Sequence, residues 1–309
     1  AASDVYKRQV MELYFDSIKN KYNRIFMFDY ALYQEFYKKN PEGIFYLPLG
    51  ANYQRVDQVI KAITETDKKK YCADVSFIGS LYTEKCPYNR MQDDTSYLKG
   101  YLDGLIEAQL KVYGYNFLEE CITEEIVEEF KKKVPFYAFP EKADHNEKAA
   151  LAHLYLGNKV TEQERLRLLK SVSENYKLDL YTGSDTVLLP RANVKGVAKT
   201  MTEMPKIFHL SKINLNFTSK PIRTGLPLRI WDILCAGGFV LSNYQEEIPE
   251  YLEIGKEIET FASEEELLYK IDYYLEHEEE RKIIAKNGYE KAKEKYSLRE
   301  RVKELIRNI

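Results

Sequence analysis

The stretch RTGLPLRIWDILCAGGFVLSNY, Arg223 to Tyr244, decides how the chain is read. It predicts a glycine turn, a short helix opened by Pro227, a stop at Gly237-Gly238 and a buried strand. Proline lacks the N–H that the first helical turn would leave unpaired, and glycine reaches the positive φ at which helices end. The preceding loop, Ser219 to Gly225, carries Lys220 and Arg223 toward a helix N-terminus. There, free amides and the positive end of the dipole favour an anion by about 0.3–1 kcal/mol. Arg229 and Asp232 lie three residues apart and share a helix face, while Leu226, Ile230, Ile233 and Leu234 turn toward a core. Two readings of the pair are open: a surface ion pair, or a guanidinium forked onto a diphosphate beside a carboxylate that accepts ribose hydroxyls.

Outward from this stretch, strands and helices alternate. Ala73 to Ser80 is an apolar strand running into a Gly79-Ser80 turn, and Leu178 to Asp185 repeats the pattern with Thr182, Gly183 and Ser184. A short strand at 194–197, a helix from Thr202 to Leu210 and a strand from Ile213 to Phe217 follow. Doubly wound sheets hold ligands outside the carboxyl ends of their strands, so Gly79, Ser80, Thr182, Gly183, Ser184 and Asn216 are candidate contacts. Asp185 would repel a diphosphate and reads as a turn cap. Asn214 and Asn216 face one side of a buried strand and need partners, from a ligand or from loop backbone.

Between about residues 86 and 176 the periodicity becomes helical, with amphipathic segments at 97–112, 119–133, 148–156 and 161–175. Thr161 followed by Glu164 predicts a capping box. This region reads as an all-helical insertion whose Tyr101, Tyr113, Tyr115 and Phe117 form an aromatic cluster with two open readings, packing against the sheet or an acceptor or partner surface. His145 and His153 have no companion ligands and read as ordinary helix residues; His209 reads as structural. An edge strand at 257–261 and helices at 264–275, 281–295 and 298–309 complete the C-terminal part. A strand at 24–29, a helix at 31–39 and a strand at 43–47 form an earlier β-α-β piece.

The 309 residues, 44% hydrophobic and 31% charged, suffice for one large or two ordinary domains. A net charge of −3 supplies no broad positive field for nucleic acid. Four cysteines without metal-type spacing fit reduced thiols of a cytoplasmic protein. No run approaches the ~18 apolar residues of a membrane span. The dinucleotide-binding G-x-G-x-x-G and the NTPase phosphate loop are both missing, as is a D-x-D metal grip.

The run from His209 to Leu275, above all its GLPLRIWDILCAGGF core, resembles the donor-binding half of two-domain (GT-B) glycosyltransferases. It is most similar to the bacterial group 1 type related to spore-maturation and flagellin-modifying transferases. The likeness extends from about Arg24 to the C-terminus and implies an α/β, Rossmann-type doubly wound parallel sheet. In that class the turn reads roughly E-G-F-G-L-P-x-x-E, with two glutamates. The register of the later glycines puts Asp232 in place of the second, which holds the nucleotide ribose in relatives. The first has no counterpart, because Thr224 stands eight residues upstream of Asp232.

The start AASDVYKRQV, without an initiator Met, reads as an assembly scar at 1–9. The resemblance implies the tail of an acceptor-side domain with its linker at 10–55 and a donor-binding domain at 56–309. The last of these would include the insertion at about 86–176 and a bracing helix at about 298–309. It also implies a nucleoside-diphosphate sugar donor, UDP type foremost, an acceptor hydroxyl on protein or glycan, and no further cofactor. Arg229 and Arg223 or Lys220, with the helix amides after Gly225, would stabilise the leaving diphosphate without a metal, and the Gly225-Leu226-Pro227 turn would lie against the nucleotide. Two alternatives belong to other classes: a non-catalytic nucleotide-sugar or glycan-binding module or partner subunit, and a sugar-nucleotide epimerase of the same architecture.

Overall fold

The computed structural model describes residues 20, 22–91, 94–137 and 146–307. The expected scar at 1–9, the first residues of the N-terminal tail from Met11 and His145 lie outside them. The described residues begin with β1 (Ile25–Met27), α1 (Tyr30–Tyr37) and β2 (Ile44–Tyr46), a parallel strand pair with a small core of Met27, Leu32, Phe36 and Ile44. Helices α2 (Tyr53–Lys61) and α3 (Glu65–Tyr71) lead to β3 (Ala73–Ile78). Asn52 caps α2, and Thr64 opens α3 with a full capping box closed by Asp67.

After β3 the chain leaves the sheet for α4 (Tyr97–Leu110), α5 (Glu124–Lys131) and α6 (Glu147–Ala150), with three short 3-10 turns among the described residues, two before α4 and one between α4 and α5. A π-helical segment, Leu151–Leu156, then runs straight into α7 (Gly157–Asn175). These elements enclose their own apolar core, including Leu102, Ile106, Val127, Phe130, Leu156 and Val160.

The capping box expected at Thr161 does not form. Helix begins earlier, where Asn146 accepts from the Ala149 amide, and packing of the 147–160 face carries it through the threonine. The Thr161 hydroxyl donates to the Gly157 carbonyl at 2.8 Å and accepts from the Lys220 amide at 3.0 Å. The aromatic cluster divides. Tyr113 packs edge-on against Phe261 and Tyr101 bonds the Cys121 carbonyl, while Tyr115 stays 55% exposed.

Next come β4 (Leu178–Tyr181), β5 (Asn193–Val194), α8 (Met204–Leu210), β6 (Ser211–Asn216), α9 (Leu228–Cys235) and β7 (Val240–Asn243). The chain ends through α10 (Ile248–Tyr251), β8 (Glu259–Phe261), α11 (Glu264–Glu276), α12 (Glu278–Tyr296) and α13 (Leu298–Arg307). The six strands β3 to β8 form one parallel sheet in the order β5-β4-β3-β6-β7-β8. Alternation along the strands feeds two cores. Val75 and Phe77 face α7 and α11, whereas Ile78 joins α8 and α9 on the other side.

The stop of α9 forms as the sequence predicts. Gly237 has φ +69°, its amide reaches the Leu234 carbonyl, and the Gly238 amide reaches that of Ile233. Pro227 stands one residue earlier than expected, as the N-cap of α9 rather than inside its first turn. The α12–α13 junction bonds back to the linker, with the Leu298 amide on the Ala51 carbonyl at 2.9 Å.

Candidate active site at the carboxyl edge of the sheet

From β3 the chain steps outward through β4 and β5, and from β6 it steps the opposite way through β7 and β8. The β3/β6 junction is therefore the topological switch point, where a doubly wound sheet opens a crevice at its carboxyl edge. Three groups of side chains meet this edge.

The first group is the ledge made by the β3 and β4 turns. The Gly79 amide donates to the Tyr181 carbonyl at 3.0 Å, and the Leu81 amide to Ser184 Oγ at 2.9 Å. Ser184 Oγ lies 3.4 Å from Ser80 Oγ, and the Ser184 amide donates to Thr182 Oγ1 at 3.1 Å. Gly79, Ser80, Thr182, Gly183 and Ser184 are thus brought together from two turns about a hundred residues apart. Thr182 is buried and caps its turn; Gly183 is exposed. Asp185 accepts from the Val187 amide, as a turn cap should.

Asn216 departs from the expected role. It is buried, and its amide nitrogen donates to Ser242 Oγ at 2.9 Å and Thr218 Oγ1 at 3.1 Å, which ties β6 to β7. Asn214 likewise bonds protein groups, Ser76 Oγ and the Phe208 and Phe239 carbonyls. His209 Nδ1 lies 2.8 Å from the Ala236 carbonyl, a structural position.

The second group is a residue the sequence reading missed. Arg165 on α7 is 9% exposed, and its two terminal nitrogens donate to the Ser80 carbonyl at 2.5 Å and the Phe217 carbonyl at 2.6 Å. It therefore spans the carboxyl ends of β3 and β6, stacked 4.8 Å from the Tyr82 ring centre. Its only sequence signal was a polar run, Thr161 to Arg165, inside an otherwise amphipathic helix. Arg229 opens α9. Burial lowers its pKa first of all and the like charge of Arg165 lowers it further, against the raising effect of Asp232. Arg229 Nη1 stands 3.7 Å from Asp232 Oδ2 and 3.2 Å from Met204 Sδ, with its guanidinium over the Phe208 ring. The two side chains are 24% and 28% exposed, so the pair is recessed but not sealed. Burial raises the Asp232 carboxyl, opposed by Arg229 and Arg55.

The third group is the loop before α9, where the expectation of open amides is corrected. The Arg223, Thr224 and Gly225 amides all donate to Asp29 Oδ2, at 2.8, 3.1 and 3.1 Å. The loop does bind an anion, but the anion is a carboxylate of the β1–α1 turn. Glu247 makes the reciprocal contact, accepting from the Tyr30 amide at 2.7 Å and the Thr224 hydroxyl. Gly225 is required because a Cβ there would sit 2.8 Å from the Phe28 carbonyl oxygen. Leu226 is 3% exposed and packs in the core, not toward a ligand.

Lys220 is also withdrawn from the edge. It is 8% exposed, 3.4 Å from the buried Glu164 carboxylate and 4.8 Å over the Tyr113 ring. Arg223 points elsewhere again, onto Glu35 at 2.7 Å, Glu119 at 3.2 Å and His153 at 3.1 Å. The three candidate cations therefore do not converge. His153 is more than the ordinary helix residue the sequence suggests, because the π-helical segment turns it toward Glu119 and Arg223.

Among the described residues no group of three or more His, Cys, Asp or Glu side chains is placed to hold a metal ion, and no helix is long and apolar enough to cross a membrane. Residues 164–307 match the family described as glycosyl transferase-like. A search of curated proteins finds no match. Among solved structures, the chain is similar to a glycosyltransferase from Rickettsia africae, with a TM-score of 0.53, 11% identity, and coverage of 96% of this chain and 65% of that one. It is similar to Anabaena HepE in complex with UDP and glucose (TM-score 0.51, 12% identity, 92% and 62% covered). Sucrose-phosphate synthase from Thermosynechococcus elongatus gives 0.51 and 10%, with 99% and 63% covered. The chain thus spans 62–65% of the length of these structures. The fold is thus that of the GT-B glycosyltransferases, and the C-terminal part of the chain, residues 164–307, carries the match to the glycosyl transferase-like family.

Proposed function

We propose that the switch point binds the nucleotide of a nucleoside-diphosphate sugar and that the protein takes part in transferring the sugar to an acceptor hydroxyl. The observation supporting this is the recessed Arg229–Asp232 pair at the start of α9, 3.7 Å apart and 24% and 28% exposed, on the helix that follows β6. A guanidinium can fork onto a diphosphate in such a recess. Asp232, one helical turn from Arg229, is placed to accept ribose hydroxyls. UDP is the nucleotide to test first, since HepE is seen with UDP and glucose.

In this reading the leaving diphosphate is stabilised by fixed guanidiniums rather than by a metal. Release of UDP from a UDP-sugar should continue in the presence of EDTA, and loss of turnover on chelation that divalent metal restores would refute the metal-free part. For donor binding, UDP at about 100 times its dissociation constant should stabilise the fold by about 2.7 kcal/mol. Arg165→Ala and Arg229→Ala should each abolish most of that gain. Equal UDP stabilisation in wild type and both variants would reject the site.

A further inference from the structure

The loop that leads from β6 to α9 is fastened at two places. Asp29 holds residues 223–225. Upstream, Lys220 is held at every polar group by the helical insertion. Its amide donates to Thr161 Oγ1 at 3.0 Å, its carbonyl accepts from Asn116 Nδ2 at 3.1 Å, and its ammonium stands 3.4 Å from Glu164 Oε1. We propose that Lys220 is a positioning residue, through which the insertion sets the place of α9 and hence of Arg229 and Asp232. The role toward that pair rests on the donor site proposed above, whereas the anchoring of the loop stands without it.

Burial gives the contact its weight. The Lys220 side chain is 10% exposed and that of Glu164 1%, so water screens neither charge and each is costly without the other. Lys220 Nζ also stands 4.8 Å over the Tyr113 ring, which packs edge-on against Phe261 of β8. A lysine on a surface loop keeps its rotamer freedom, and this one has given it up. Residues 218–222 are all buried, so the loop is packed along this stretch.

The two fastenings differ in what they refer to. Asp29 ties the loop to the β1–α1 turn, which lies outside the six-stranded sheet. Lys220 ties it to α7, and the same turn of α7 carries Arg165, whose guanidinium bonds the Ser80 and Phe217 carbonyls. Thr161, Glu164 and Arg165 thus fix the ends of β3 and β6 and the start of the loop to one rigid turn. Only this fastening sets the loop relative to the strand ends. Pro221, with its locked φ, carries the restraint onward.

The test separates positioning from stability. Lys220→Met leaves Glu164 a lone buried charge and should lower the melting temperature; adding Glu164→Leu removes both charges and should recover most of the loss. In that double variant, hydrogen–deuterium exchange should be about tenfold faster at the Ile222 to Leu226 amides and unchanged along β4 and β7. UDP affinity should stay about fivefold below wild type even though stability has returned. Lys220→Arg, which keeps a cation against Glu164, should restore slow exchange and UDP binding together. The proposal is overturned if loop exchange in the double variant stays at the wild-type rate, or if its UDP affinity does. It is overturned equally if affinity simply follows melting temperature across the three variants, the behaviour of a structural contact. A wild-type protein that binds no UDP while the double variant still loosens the loop would instead remove the donor-site reading and keep the anchor.

Discussion

Two places at the carboxyl edge are built to attract negative charge, and they have opposite fates. The loop at 223–225 directs three consecutive amides at one point, and the protein's own Asp29 occupies it. At the β3/β6 junction Arg165 bonds the Ser80 and Phe217 carbonyls, and at the start of α9 Arg229 stands 3.7 Å from Asp232, with burial lowering its pKa. The first place is saturated and acts as a latch between the two-stranded unit and the six-stranded sheet. The second pairs its cation with a carboxylate one helical turn away and leaves both side chains partly exposed, at 24% and 28%. An anion-binding geometry at a helix N-terminus therefore locates a function only once its occupant is known.

The largest expected effect lies in the latch. Asp29→Ala leaves three amides without their acceptor and removes the cap of α1, whose Leu32 amide Asp29 also accepts. With unsatisfied buried groups costing about 1–3 kcal/mol each, urea denaturation should show a loss of roughly 3 kcal/mol or more. A loss under about 1 kcal/mol would mean that other contacts hold the seam. If the comparison is right, the same variant should leave UDP affinity at the strand ends nearly unchanged.

Next in size, Arg229→Ala should weaken UDP binding by about 10–100-fold, the equivalent of roughly 1.5–3 kcal/mol for a charge-assisted contact. Titration calorimetry measures it. Arg229→Lys, which keeps the charge but loses the fork, should recover only part of the affinity. Full recovery would mean that charge alone serves here.

A smaller effect sharpens the role of the α9 stop. Gly237 has φ +69°, so Gly237→Ala should cost about 1 kcal/mol in thermal or chemical unfolding without altering either site.

The smallest effect is confined to acid. The hydrogen bond from His153, and then the nearby charges, hold the Glu119 carboxyl at about 2, below its ordinary 4.5. Folding thus favours its ionised form. That contribution is complete above about pH 4.5 and disappears as pH falls toward 2. Glu119 is partly solvated, so the amplitude will be screened. Glu119→Gln should remove this acid limb of the stability profile, and an unchanged profile would deny the contact.

Much of the architecture was legible because it is written locally. The helical periodicity of 97–110 and of 264–275 and the double glycine after α9 each depend on residues within a turn or two of one another. Alternating apolar runs that end in glycine identified the strands and their carboxyl-end turns, and with them the doubly wound sheet. The Arg229–Asp232 pair was legible for the same reason, as an i,i+3 spacing on one helix.

What only the tertiary structure decided are the encounters between distant segments. Asp29 reaches amides 194 to 196 residues away, and Arg165 bonds carbonyls 85 and 52 residues away. Nothing in a local pattern separates a loop whose amides are open from one already filled by a remote carboxylate. The continuous helix through Thr161 belongs to the same class, since burial against the insertion core overrode a good local start signal. Local sequence sets which backbone shapes are cheap. Where charges and orphan hydrogen-bonding groups find their partners is settled by the fold that brings them together, because burial makes leaving them unpaired costly.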